Sequence, residues 1–203
     1  MMLYDMLYKN MKIILVLLML VLFANPGFSV EVESRTDYLV DVRRDDGDIA
    51  MERLSIHKKL DSSDTELSFF GEAQWNMETD EWEKLLSGLE IGKSFSDYFY
   101  VGQSFQFISG EMLDYLVFDA DSYSFDTTTK VGLEVPFLEV FSLRLFEEYS
   151  INLEKGRDEY CESIAEILYA PVDLFSVGIG WRHTDRIHAL DTDYVSTSLT
   201  LRF

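Results

Sequence analysis

The chain has 203 residues, of which 37 are acidic and 17 are basic, so its formal net charge is -20 at pH 7. Phosphate backbones repel a chain this acidic and the sequence has no basic stripe, so nucleic-acid binding is disfavoured. The single cysteine, Cys161, excludes an internal disulfide and a metal site built from several cysteines.

Residues 1–29 form a predicted signal peptide, and Met11 begins a complete signal by itself. Lysine follows Met11, and Ile13 to Phe23 is an uninterrupted apolar run that Asn25-Pro26 ends. Gly27 and Ser29 supply the small residues that a signal peptidase needs, so we expect cleavage after Ser29. The run is short for a membrane-spanning helix, which argues against a retained anchor. Residues 30–203 are therefore predicted as one exported domain without a cofactor.

Apolar residues alternate with polar residues along most of this domain, which predicts β-strands with one apolar and one polar face. In chain order the apolar positions are Tyr38, Val40, Val42; Leu67, Phe69, Ala73, Trp75, Met77; Leu85, Leu89, Ile91, Phe95; Phe99, Val101, Phe105, Phe107; Tyr123, Phe125, Val131, Leu133, Val135; Phe141, Leu143, Leu145, Tyr149, Ile151; Ile167, Tyr169; Phe175, Val177, Ile179, Trp181; and Val195, Thr197, Leu199, Leu201, Phe203.

The connections between these strands alternate between short turns and longer loops, as in up-and-down transmembrane barrels. The short turns are predicted at 61–64, 96–97, Pro136 and 170–173, and the longer loops at 78–83, 109–121, 154–159 and 184–191. We favour ten strands, the first two joined by the turn at 45–48. Eight strands is the alternative, because the first hairpin has the weakest apolar face.

The last strand alternates without a break and ends on an aromatic residue. With Leu199, Leu201 and Phe203 on one face, it resembles the C-terminal insertion signal of bacterial outer-membrane β-barrel proteins. That resemblance implies an antiparallel barrel in the outer membrane of a Gram-negative-type cell. It also implies recognition by the barrel assembly machinery and contact with outer-membrane lipids.

Alternation alone does not say which face points inward. A soluble periplasmic lipocalin-like barrel would put its apolar face inside, around an apolar ligand.

Three patterns favour the membrane arrangement, with the apolar face outward. Aromatic residues on the apolar face form two interfacial girdles: Trp75, Phe95, Phe99, Phe107, Phe141, Tyr149, Tyr169, Phe175, Trp181 and Phe203. Glycines suited to a narrow lumen lie on the polar face: Gly88, Gly92, Gly102, Gly132, Gly178 and Gly180. Charges of both signs also lie there and form a predicted lumen network: Lys130, Arg144, Arg182, Arg202, Glu72, Glu90, Glu134 and Glu148.

Three ionisable residues, Lys93, Glu147 and His183, lie on the apolar face. Lys93 and His183 are near strand ends, where a polar head reaches the interface at little cost. For Glu147 we expect a β-bulge that shifts the alternation between Phe146 and Tyr149.

Catalysis is not expected. An Asp-His pair involving His188 and Asp185, Asp191 or Asp193 could activate a water or a serine in a barrel hydrolase. However, no nucleophile motif such as G-x-S-x-G is present, and His57 is the only other histidine besides His183.

The predicted loops are rich in carboxylates, which divalent cations prefer as ligands. The Asp45-Asp46-Gly47-Asp48 segment lacks the length and downstream glutamate of an EF-hand, so the predicted role of cations is a weak one, bridging acidic loops to lipid phosphates. The favoured function is that of a structural or interaction protein displaying these loops. Its lumen is expected to be filled by Phe70, Tyr98, Tyr100, Arg144, Phe146 and Arg182. A narrow cation-preferring pore is the alternative.

Overall fold

The computed structural model describes residues 30–43, 47–60, 64–109, 123–185 and 191–203. Their secondary structure is entirely β-strand and turn, and none of them belongs to a helix long and apolar enough to cross a membrane. The strands are β1 Val30–Asp41, β2 Ile49–Lys59, β3 Thr65–Asn76, β4 Glu81–Ser94, β5 Phe99–Ser109, β6 Tyr123–Leu138, β7 Phe141–Asn152, β8 Arg157–Val172, β9 Phe175–Asp185 and β10 Thr192–Arg202. The predicted signal peptide lies outside the described residues.

These strands form a closed antiparallel barrel in which each strand lies beside its neighbours in the chain. Closure comes from β10, which pairs with β1 from Glu33 opposite Arg202 to Asp41 opposite Tyr194. Beyond the last paired residue, Phe203 and Val32 exchange backbone hydrogen bonds of 2.9 and 3.1 Å. The prediction of ten strands is confirmed, and the eight-strand alternative is wrong because the first hairpin is part of the sheet.

Two connections predicted as longer loops are tight turns of four residues, 77–80 and 153–156. In each turn the side-chain oxygen of the last strand residue, Asn76 or Asn152, accepts two backbone N–H groups at 2.8–3.1 Å. Each turn ends on a residue with positive φ, Asp80 at 61° and Gly156 at 60°. The asparagine therefore closes the turn early, and the acidic residues after it enter the next strand.

The two proline-containing turns lie later in the chain than predicted. Strand β6 continues through Pro136 to Leu138, and β8 continues through Pro171 to Val172. The pairing register shifts at both places, because proline has no N–H to donate to the ladder. A proline near a strand end thus interrupts the ladder locally without ending the strand.

The bulge predicted at Glu147 is wrong. Glu147 keeps its place in the alternation and faces outward, opposite Ser163 of β8. The irregularity of this strand pair lies further along, between Ser150 and Ile151. Ser163 Oγ and Cys161 Sγ donate hydrogen bonds to the Glu147 carboxylate at 2.8 and 3.0 Å, so local polar partners replace the expected change of face.

The apolar face of the sheet points outward and the polar face points into the barrel. Phe105 and Ile179 on the outside are 55% and 58% exposed, whereas the inward-facing Ser150, Asp126 and Glu166 are at most 1% exposed. A soluble barrel would leave this apolar exterior in water, so the lipocalin-like alternative is wrong. The hydrophobic surface of this fold faces lipid.

A charge on this exterior should destabilise the barrel. Ile179 lies between the two ends of β9, and Ile179→Arg should lower the free energy of unfolding by about 2–4 kcal/mol, because the guanidinium must enter hydrocarbon. Urea unfolding in lipid vesicles, followed by heat-modifiable gel mobility, measures the change. Ile179→Leu is the matched control and should unfold like the unsubstituted protein. Equal midpoints for the two variants would contradict a lipid-facing position.

Candidate functional site

One cavity of about 1190 Å³ lies inside the barrel. Its lining includes Glu31, Asp64 and Asp97 at the end where β1 begins and β10 finishes. It also includes Lys84 and Asp126, which are near the opposite ends of their strands. The cavity therefore extends along the length of the strands, from one end of the barrel to the other.

The cavity wall carries more negative than positive groups. Fourteen carboxylates and eight arginine or lysine side chains line it. The surplus of carboxylates makes the lumen attractive to cations and repulsive to anions.

The carboxylate of Glu166, on β8, is one of the most enclosed charges of the lumen, together with those of Asp37 and Asp126. Arg35 Nη2 on β1 lies 3.1 Å from Glu166 Oε1, and Arg144 Nη1 on β7 lies 3.8 Å from Glu166 Oε2. The Ser198 hydroxyl also donates to this carboxylate, and Arg35 holds Asp37 at 2.8 Å. Arg35 and Arg144, which approach from opposite sides of β8, thus compensate the negative charge of Glu166.

A second group of ion pairs lies further along the lumen. Glu148 and Glu162 are directly opposite each other on β7 and β8, a repulsive arrangement for two carboxylates. A cation flanks each of them: Lys130 Nζ lies 2.8 Å from Glu148 and Arg182 Nε lies 3.7 Å from Glu162. The four charges therefore form one row across β6 to β9.

Acidic side chains surround the lumen mouth at the end that carries the C-terminus. Three contacts hold them: Arg202 Nε to Glu33 at 2.9 Å, Arg144 Nε to Glu134 at 3.0 Å, and His57 Nδ1 to Glu66 at 2.8 Å. Asp64 and Asp97 line the same mouth. This end of the cavity is its most acidic part.

The structure places all eight residues of the predicted lumen network on the inward face, and all of them except Arg202 line the cavity. It also brings in Arg35, Asp37 and Arg53 of the first hairpin, which the sequence analysis did not include. Arg53 pairs with the predicted Glu72 at 3.6 Å. The alternation of Arg35, Asp37 and Leu39 along β1 was a signal that could have placed Arg35 and Asp37 in the lumen.

The predicted interfacial aromatic residues lie on the exterior at two levels. Near the end where β1 begins and β10 finishes are Phe95, Phe99, Phe141, Tyr169, Phe175 and Phe203; toward the other end are Trp75, Phe107, Tyr149 and Trp181. Adjacent rings contact each other within a level, as in Phe141 and Tyr169 with ring centroids 5.1 Å apart. The predicted insertion residues Leu199, Leu201 and Phe203 form the outer face of β10 and are 40%, 37% and 73% exposed.

An apolar exterior between two aromatic levels, around a closed polar lumen, decides the class of this barrel. The protein is a ten-stranded β-barrel of the bacterial outer-membrane type. Its location is the outer membrane.

Two ionisable residues on the exterior have partners beside them. His183 Nδ1 lies 2.9 Å from Asp193 Oδ1, and the ring stacks on Trp181. Lys93 Nζ lies 5.4 Å from the ring centroid of Phe95, at the end of β4. Both positions are near strand ends, where the sequence analysis expected them.

His188, on which the Asp-His pair considered above depends, lies outside the described residues. Among the described histidines, His183 contacts Asp193. Within the described ranges, no three His, Cys, Asp or Glu side chains are arranged to hold a metal ion. The predicted role of cations at the acidic loops stays a prediction.

Comparisons with known proteins give structural likenesses only. No family model and no curated protein matches the chain. The NanC porin is 10% identical, with 85% of this chain and 99% of that chain covered and a TM-score of 0.49. The KdgM porin is 12% identical, with the same coverage and a TM-score of 0.44. The CymD monoaromatic hydrocarbon channel is 13% identical, with 91% of this chain and 59% of that chain covered and a TM-score of 0.46.

Removing the enclosed carboxylate should destabilise the barrel. Glu166→Gln keeps the size of the side chain but deprives Arg35 and Arg144 of a shared counter-charge, so we expect a loss of about 2 kcal/mol in the free energy of unfolding. The urea midpoint in lipid vesicles measures it. Glu154→Gln, in an exposed turn, is the control and should unfold like the unsubstituted protein. A Glu166 variant as stable as this control would contradict the compensation described here.

Proposed function

We propose that the barrel is a narrow channel that conducts small cations in preference to anions. The observation that carries this proposal is the cavity of about 1190 Å³ whose lining residues extend from one barrel end to the other. The bulky residues expected to fill the lumen, among them Phe70, Tyr98, Tyr100 and Phe146, are part of this lining, so space remains beside them. Strand number alone predicted a plug, but this remaining space supports a passage.

The charge of the wall supports the cation preference. Carboxylates outnumber arginines and lysines in the lining, and two of these carboxylates, Asp64 and Asp97, lie at the acidic mouth. A low-dielectric wall concentrates the field of such groups and raises the local concentration of counter-ions. Cations should therefore enter readily at this mouth.

The paired charges further in support a narrow bore. Arg53 of β2 is one of the residues that line a small void of about 20 Å³. Glu90 of β4, Lys130 of β6 and Glu148 of β7 line the same void. A side chain that reaches residues on these strands extends into the cross-section of the lumen. We therefore expect small conductance and passage of small solutes.

A closed barrel with a structural or interaction role is the second candidate. The extension of Arg53 into the lumen also favours this closed barrel, because salt-bridged side chains that meet across the lumen would seal it. Conductance separates the two: a barrel that carries no current in planar bilayers would overturn the channel and leave the structural role.

The cation preference is testable in planar bilayers under a salt gradient. The reversal potential should have the sign of a cation-selective pore, and Asp64→Asn with Asp97→Asn should move it toward zero. The shift should be larger at low salt, because the Debye length is about 10 Å at 0.1 M ionic strength and grows on dilution. Asp173→Asn, in a turn at the same barrel end but outside the cavity lining, is the control. An anion-selective reversal potential would contradict the proposal.

A further inference from the structure

Most inward-facing glycines of the barrel wall are covered by a large side chain from their own or a neighbouring strand. Phe70 lies on Gly88, Tyr100 lies on Gly92 and Gly102, and Phe146 lies on Gly132. The Glu166 carboxylate covers Gly178, whereas Gly180 faces the backbone of Ala165 and Glu166. We call these four arrangements the glycine seats.

Space is the reason for glycine at these positions. A Cβ on Gly88 would lie 2.6 Å from Phe70 Cζ, and one on Gly102 would lie 2.8 Å from the Tyr100 hydroxyl oxygen. On Gly132 a Cβ would overlap the Phe146 ring outright. Real Cβ atoms do not approach their neighbours this closely, so any other residue would displace the covering side chain.

Backbone conformation does not explain these glycines. Among the described glycines only Gly47 and Gly156 have positive φ, and both lie in turns. The backbone at the seats is therefore one that any residue adopts. What glycine provides there is room for the tip or edge of the covering side chain, in the space that a Cβ would occupy.

Two of these aromatic rings also contact cations of the lumen. The Arg53 guanidinium lies 4.1 Å from the ring centroid of Phe70, and Lys130 Nζ lies 4.5 Å from that of Phe146. A ring face attracts a cation at this distance. Phe70 and Phe146 thus each contact both a wall glycine and a lumen cation.

From these contacts we propose that the glycine seats set the bore of the channel, by letting side chains approach the wall that would otherwise stand in the lumen. The inference rests on the proposed channel function. A ring that meets a Cβ at its seat must turn to another staggered rotamer, and the free direction is toward the axis. The seats also fix how far Arg53 and Lys130 project, so they determine where positive charge faces a passing ion.

The Phe146 seat gives the sharpest test, because Gly132 lies directly opposite Phe146 on the neighbouring strand. Gly132→Ala should lower single-channel conductance in planar bilayers by roughly half or more, since the displaced ring occupies part of a narrow lumen. Adding Phe146→Ala to Gly132→Ala removes the ring and should restore conductance to at least the value of the unsubstituted protein. Heat-modifiable gel mobility shows that each variant is a folded barrel.

Gly71→Ala is the matched control. Gly71 lies on the exterior of β3, and the nearest atom to a Cβ there is Leu86 O at 4.0 Å, so this substitution should leave conductance unchanged. If the unsubstituted barrel conducts and Gly132→Ala conducts equally well, the seats do not set the bore. Failure of Phe146→Ala to rescue the conductance would also overturn the inference. An unsubstituted barrel without conductance would overturn the channel itself and the inference with it.

Discussion

Every backbone N–H and C=O of a chain that crosses hydrocarbon needs a partner within the protein, because lipid offers none. Ten antiparallel strands meet this requirement only when the sheet closes, and the pairing of β10 with β1 provides the closure. Closure leaves two surfaces of opposite chemistry. The outer surface takes the apolar residues of the alternation, and the inner surface takes the charges, hydroxyls and glycines.

The interior then has to accommodate many charges in a small volume. Neighbouring strands provide the opposite signs, as in the row from Lys130 to Arg182 across β6 to β9. The glycine seats make room for large side chains, because Phe70, Tyr100 and Phe146 lie against wall glycines. In the channel proposed here, charge pairing and the glycine seats together keep the lumen open between large side chains.

Much of the architecture was predictable because a period of two is visible over whole strands. The run from Phe175 to Trp181 alternates cleanly, and the structure places its apolar members outside. The turns were less predictable: the bonds that Asn76 accepts shorten a loop, and Pro136 sits inside a strand whose ladder tolerates it. Local composition signals a turn but does not give its end points.

The lumen network was predictable only in part, for a physical reason. The inward face of each strand follows from alternation, so Lys130 and Glu148 could be placed in the lumen. The contact of Arg35 with Glu166 joins β1 and β8, which are separated by two strands and by 131 residues of sequence. Such a pair depends on closure and on the strand registers together, and no single segment reveals it.

The direction in which the two sheet faces point is tested most directly by nitroxide labels in lipid vesicles, in a Cys161→Ser background. A label at Leu199→Cys, on the outer face of β10, should collide with oxygen dissolved in the lipid and be shielded from a water-soluble nickel chelate. A label at Ser142→Cys, in the cavity lining, should show a much weaker preference for oxygen. The opposite pattern, with position 199 accessible to the chelate and position 142 in contact with lipid, would contradict the account.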